Sequence, residues 1–271
     1  MSQQQNKIHV FLLSEDIELL KAVSERPFVR ALRKRRNPVS RVQDGYRLHL
    51  LSFSKRGYDS DPIFFRLTNF LRSARLRSLL DDIENVKLLV EIHGHRKCNE
   101  LDSFEGYLFR PDLVSLAAEL KIQFNVVLDI NFRQGWEEVV DSGAYLEIYN
   151  KGDDDRELDI PAINRAAGVE ANLVYKKGMK NKNGHVINFN LWEYGQTFYD
   201  QRPDIPIRAI MDSVKSPEEF GRFCQDHDLK THVDLTCYGV PDKIISFPID
   251  YRFFVFCRHL KAKWICLDIS V

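Results

Sequence analysis

Apolar residues recur at two spacings along this chain, and the spacing switches several times. Alternation with period two predicts strands from Ile8 to Leu13, Tyr46 to Phe53, Val86 to His93 and Phe124 to Phe132. Helical spacing fills the intervals, predicting helices from Asp16 to Lys34, Ile63 to Glu84 and Asp112 to Leu120. After residue 143 the same alternation returns. Strands are expected from Ala144 to Tyr149, Val186 to Tyr194, Lys230 to Tyr238 and Trp264 to Val271. The helices between them are expected from Ile160 to Ala167, Ile205 to His227 and Tyr251 to Leu260. Gly168 suits the end of the first of these, because glycine takes a positive φ without steric penalty.

The two series match each other in sequence. Val86-Lys-Leu-Leu-Val-Glu-Ile92 aligns without a gap on Leu229-Lys-Thr-His-Val-Asp-Leu235, 143 positions later (229 − 86). Farther on, Leu120-Lys121 and Leu128-Asp129-Ile130 meet Leu260-Lys261 and Leu267-Asp268-Ile269, with one residue deleted between. Two matches in the same order, with helices in the same relative places, point to a tandem duplication. The expected architecture is α+β: two repeated domains over 1–133 and 143–271, joined by a short junction at 134–142. Each is expected to be a mostly antiparallel four-stranded sheet with two or three helices on one face.

Composition changes this picture little. At 271 residues, with 44% hydrophobic and 29% charged positions, the chain has material for two cores and no signature of wholesale disorder. The polar start MSQQQNK carries no apolar run, and no stretch reaches the roughly 20 apolar residues that cross a bilayer. The five cysteines are widely spaced and never form a C-x-x-C pair, which fits reduced thiols in a cytoplasmic setting. The net charge of zero conceals a segregation. Residues 1–135 carry 22 Lys and Arg against 17 Asp and Glu, and residues 136–271 carry the reverse. The halves therefore differ in the partners they attract.

A sheet covered by helices on one side leaves its other face to water or to a partner. Alternation in the second half places Tyr145, Glu147, Tyr149, Trp192, Tyr194, Asp234, Tyr238, Trp264 and Asp268 on that face. Aromatic rings with polar handles among carboxylates are what binding hot spots favour. In the first half the free face gathers His9, His49, Glu91, His93, His95 and Asp129. Imidazoles and carboxylates of this kind can ligate a transition metal, although alternate residues of one strand stand about 7 Å apart. The basic run between Arg26 and Arg41, with Arg30, Arg33, Lys34, Arg35 and Arg36 at its centre, is a phosphate-binding candidate or a solvated helix end. Asp153-Asp154-Asp155 lacks the alternating oxygens of a calcium loop. Phosphate-loop, zincin and nucleophile-elbow motifs are missing from the sequence, so no catalytic residue and no cofactor is assigned.

The second half has an acidic loop from Gly152 to Asp159 and a short helix ending in Ala167-Gly168-Val169. Lys177-Gly178, Trp192 and the closing Leu267-Asp268-Ile269 follow. In this order it resembles a bacterial family known as domain of unknown function 4279. The resemblance spans nearly all of 143–271 and extends weakly to 85–132, where Leu128-Asp129-Ile130 repeats the ending. Between residues 35 and 55 the first half has neither the Lys-Gly pair nor the tryptophan. The family implies a fold and a bacterial or phage origin, and no reaction. The expectation is a protein-binding module, most concretely an immunity-type protein that masks a basic bacterial toxin. The alternatives are a nucleic-acid-binding protein using 26–41 and a metal-dependent enzyme of unknown reaction.

Overall fold

The computed structural model describes residues 5–32, 39–43, 45–56, 61–98, 105–132, 141–150, 156–180, 184–199, 202–238 and 244–270. The chain is α+β, and its described strands form two mixed sheets of six strands each. The first series of elements is β1 (Gln5–Ser14), α1 (Ile17–Glu25), α2 (Pro27–Leu32), β2 (Val39–Val42), β3 (Gly45–Arg56), α3 (Asp61–Leu71) and α4 (Ala74–Asp81). It continues with β4 (Lys87–Cys98), β5 (Glu105–Phe109), α5 (Pro111–Glu119) and β6 (Gln123–Phe132). The second series is β7 (Asp141–Asn150), α6 (Ile160–Ala167), β8 (Leu173–Tyr175), β9 (Leu191–Tyr199), α7 (Asp204–Ser213) and α8 (Pro217–Asp226). It ends with β10 (Leu229–Tyr238), β11 (Ile244–Ile249), α9 (Tyr251–His259) and β12 (Trp264–Ser270).

The expected long helices are broken in two, each time for a local reason. Arg26 is extended (ψ 139°) because the ring of Pro27 disfavours helical geometry in the residue before it, so α1 and α2 replace one helix. Asp16 caps α1, its carboxylate accepting from the N–H groups of Glu18 and Leu19 at 2.8 and 3.1 Å. The hydroxyl of Ser73 caps α4 in the same way, and Pro217 opens α8. Helix α6 spans the expected residues and ends on Gly168 with φ 76°.

Compact unit 1 comprises Met1–Leu101, Ser115–Gly135 and Pro241–Arg252. Its sheet runs β11-β6-β4-β1-β3-β2, with β4 and β6 parallel and every other pair antiparallel. Ile8, Val10, Leu12, Leu48, Val90, Ile92, Phe124, Val126 and Phe247 point into one apolar core with Leu20, Ile63 and Leu67 of the helices. Compact unit 2 comprises Asp102–Val114, Trp136–Val240 and Phe253–Val271. Its sheet runs β5-β12-β10-β7-β9-β8, and here β10 and β12 are the parallel pair. Leu146, Ile148, Trp192, Val233 and Leu235 lie on strands packed by α7 and α8, and Ile265 and Leu267 of β12 are buried beside Val233 and Leu235. The sheets are thus wider than the mostly antiparallel four strands expected, and each is completed by a strand from the other half of the chain: β11 closes the first sheet and β5 the second.

The two sheets share punctuation as well as order. Asn85 and Asp228 take left-handed φ values of 62° and 56° before β4 and β10. Lys121 and Lys261 do so at 50° and 57° before β6 and β12. In the last pair the following amide reaches back to close the helix: Ile122 N–H to the Ala117 carbonyl at 2.9 Å, and Ala262 N–H to that of Cys257 at 3.0 Å. These positions stand 143 and 140 residues apart, the separations of the two sequence matches.

Candidate functional site: the open faces of the sheets

In unit 2 the helices pack on one side of the sheet, so the other side is set by strand register. Directly opposed residues share a face, and the pairs Tyr145 with Gly195 and Glu147 with Glu193 fix it between β7 and β9. Glu147 also stands opposite His232, and Tyr145 opposite Asp234, while His232 neighbours Trp264 in β12. Five of the expected residues, Tyr145, Glu147, Tyr149, Asp234 and Trp264, therefore lie together on this face. Tyr238 and Asp268 take positions on it by backbone register, and their side chains lie outside the described residues.

Trp192 and Tyr194 do not belong there. Trp192 is fully buried on the helix side, donating from Nε1 to the side-chain Oδ1 of Asn164 on α6 at 2.7 Å and packing on Phe220 of α8. Tyr194 stacks on Trp192 from the same side. The expected strand began at Val186. The strand actually begins at Leu191, and Val186 and Phe189 are 55% and 46% exposed. Its pairing with Ile148 turns Trp192 inward and brings Glu193 outward. Glu193 is the residue that alternation missed, since one position of register exchanges every side chain between faces.

The rings on this face form a row. Tyr149 contacts Phe189 at 5.5 Å and His232 at 4.9 Å, and His232 contacts Trp264 at 4.4 Å between ring centres. Tyr145 lies flat: a Cβ on Gly143 or Gly195 would meet its ring at 2.6 or 2.7 Å, so both glycines make room for it. Its hydroxyl hydrogen-bonds Thr197. The phenol of Tyr149 donates to the Glu147 carboxylate; burial first, then the negative charge of Glu147, holds that phenol well above its ordinary range. Burial, and then the Asp234 carboxylate, push the Glu193 carboxyl upward. Among the described residues the Glu193 side chain has no hydrogen bond or ion pair. Burial, with the cations Lys263 and Lys230, pushes the His232 imidazole down to about 4, so it is neutral at pH 7. Among the described residues three buried side-chain polar atoms find no partner: Asp141 Oδ1, His232 Nε2 and Thr236 Oγ1. All three belong to residues on this same face by register.

The open face of unit 1 has different chemistry. A register shift in β3 beside Val10 and Phe11 lets His49 and Ser52, three positions apart, share a face. The Ser52 hydroxyl lies 2.7 Å from His9 Nδ1 and 2.8 Å from His49 Nε2. His9 meets His93 edge-on at 5.1 Å and His49 at 5.7 Å. Glu91 pairs with Arg47 at 3.1 Å and with His93 at 3.3 Å. Burial raises the Glu91 carboxyl, but the His93 hydrogen bond and the Arg47 charge outweigh it and hold the group below its usual range. Burial, then His93 and His49, pushes His9 down to about 4. The expected histidine cluster is thus real for His9, His49 and His93, while the His95 side chain lies outside the described residues. Among the described residues, however, no three His, Cys, Asp or Glu groups converge as metal ligands.

Arg33, Lys34, Arg35 and Arg36 lie outside the described residues. Arg30 is exposed, with its guanidinium 3.9 Å from Glu25. A groove of about 660 Å³ is lined by Phe28 and Ala31 of α2 and Ala74 and Leu79 of α4, together with Arg26, which is held by Asp82 at 3.1 Å. No local pattern announces this groove, because it depends on how α2 and α4 meet. Cys224, Cys237 and Cys257 are free and buried, and burial pushes the Cys237 thiol up to about 12, which makes it inert. Among the described residues no helix is long and apolar enough to cross a membrane. No family model matches this chain, and neither a curated protein nor a solved structure matches it.

Proposed function

We propose that this chain is a protein-binding module whose docking surface is the open face of unit 2, and that its partner is basic. The most concrete form of this reading is an immunity-type protein that masks a basic toxin. One observation carries it: Glu147, Glu193 and Asp234 occupy three adjacent strands beside a row of four rings, and burial, then its like-charged neighbour Asp234, raises Glu193. A folded protein that keeps such repulsion on a partly dry surface gains when an arginine or lysine arrives. The incoming cation neutralises the carboxylates, and the rings supply rigid contact area. The orphan His232, Thr236 and Asp141 atoms offer polar partners to the same visitor. The family resemblance of 143–271 belongs with this reading, since the same segment supplies most of the face.

The test is rescue by co-expression. The chain is produced beside each toxin-like protein encoded next to it in its native genome, and growth is scored for the native chain and for Glu193→Lys/Asp234→Lys. Rescue by the native chain, lost on charge reversal with the circular-dichroism spectrum unchanged, supports the reading. Rescue that survives charge reversal, or no rescue beside any neighbour, overturns it.

A further inference from the structure

The open face of unit 1 is not used by that reading, and its charge is the reverse of unit 2's. Lys7, Arg47, His9, His49 and His93 share it. By backbone register Arg56, His95 and Lys97 take positions on the same face, as do the acids Glu91 and Asp129. Glu91 is already neutralised by Arg47 and His93. The uncharged neighbours Ser52, Ser54, Asn125 and Ser246 complete the surface from β3, β6 and β11.

We propose that this face is a platform for single-stranded nucleic acid, with Lys7 and Arg47 meeting phosphates and the three packed imidazoles meeting bases. Three features support it. Fixed cations exceed acids on the face, as a polyanion requires. Planar rings stand 5.1 and 5.7 Å apart on three neighbouring strands, the arrangement that lets successive unstacked bases find a π-surface. The guanidinium of Arg47 lies 4.7 Å over the Phe11 ring, presenting a cation already ordered by the sheet. An acidic protein would be attracted by the same charges but would make no use of the rings. Burial, then His93 and His49, hold His9 down to about 4, so at pH 7 it meets a base as an uncharged ring.

The experiment is fluorescence anisotropy of the full chain with an end-labelled single-stranded oligonucleotide at low salt and pH 7.5. Lys7→Glu should weaken binding about tenfold, a change worth roughly 1.4 kcal/mol. His49→Gln with His93→Gln, which removes two of the three rings, should weaken binding by a similar factor with the circular-dichroism spectrum unchanged. No binding at low salt, or binding untouched by either variant, overturns it. So does inorganic polyphosphate competing as well as the oligonucleotide, because the rings would then contribute nothing.

Discussion

Truncating Phe247 should damage the unit at the far end of the sequence from it. Phe247 sits in β11 opposite Val126 of β6 and is fully buried in unit 1, although it lies in the last tenth of the chain. Phe254, seven positions later, is equally buried but belongs to unit 2, where its ring lies 5.8 Å from that of Phe109 in β5. A buried phenylalanine removes about 150–200 Å² from water, worth roughly 4–5 kcal/mol at 25 cal/mol/Å². Truncation to alanine keeps part of that and leaves a cavity, so each variant should lose about 3–5 kcal/mol. That is a large share of the 5–15 kcal/mol typical of a folded domain. Hydrogen exchange read by mass spectrometry separates the two. Phe247→Ala should lose protection in β4 and β6, and Phe254→Ala in β10 and β12. If Phe247→Ala instead opens β10 and β12, or if both variants open both sheets alike, the strand exchange described above is wrong.

Other consequences follow from single groups. Glu193→Gln should stabilise the protein at pH 7 by about half a kcal/mol in urea melts, the scale of a partly screened like-charge pair. A carboxyl raised in the folded state costs stability as pH climbs past its unfolded value, so this gain should vanish near pH 4. His9 has the opposite linkage: its folded value of about 4 lies below the ordinary 6.5, so stability is lost as pH falls from about 6.5 to 4. His9→Gln should flatten that part of the stability profile, and an unchanged slope would contradict the assignment. Trp192→Phe should cost about 1–3 kcal/mol in urea melts, because it removes the donor to Asn164 Oδ1 from a buried site. A neutral Trp192→Phe would restore the case for Trp192 as a surface residue.

The central strands and helix α6 were legible because their signals are local. Ile8, Val10 and Leu12 alternate cleanly, and Asp159 and Gly168 bracket α6 with a carboxylate acceptor and a positive φ. The strands that escaped notice, β2, β5, β8 and β11, are the outer strands of the two sheets. Outer strands are short and need not alternate, and β11 carries Pro248, which argues against a strand everywhere except at an edge. What completes each sheet is therefore the least visible part of the sequence. The candidate face was half legible for a related reason. Tyr145, Glu147 and Tyr149 follow from alternation within one unbroken strand. Glu193 depends on where β9 begins, which is set by pairing with β7 rather than by the apolar residues Ile187 and Phe189 that precede it.

The docking claim is tested most directly by hydroxyl-radical footprinting of the chain alone and bound to its basic partner. Tyr149, Phe189 and Trp264 should lose reactivity in the complex, while buried Trp192 stays unreactive in both samples and Phe65, 67% exposed in unit 1, stays reactive in both. Protection of Phe65 with Trp264 and Phe189 left reactive would place the partner elsewhere and contradict the account.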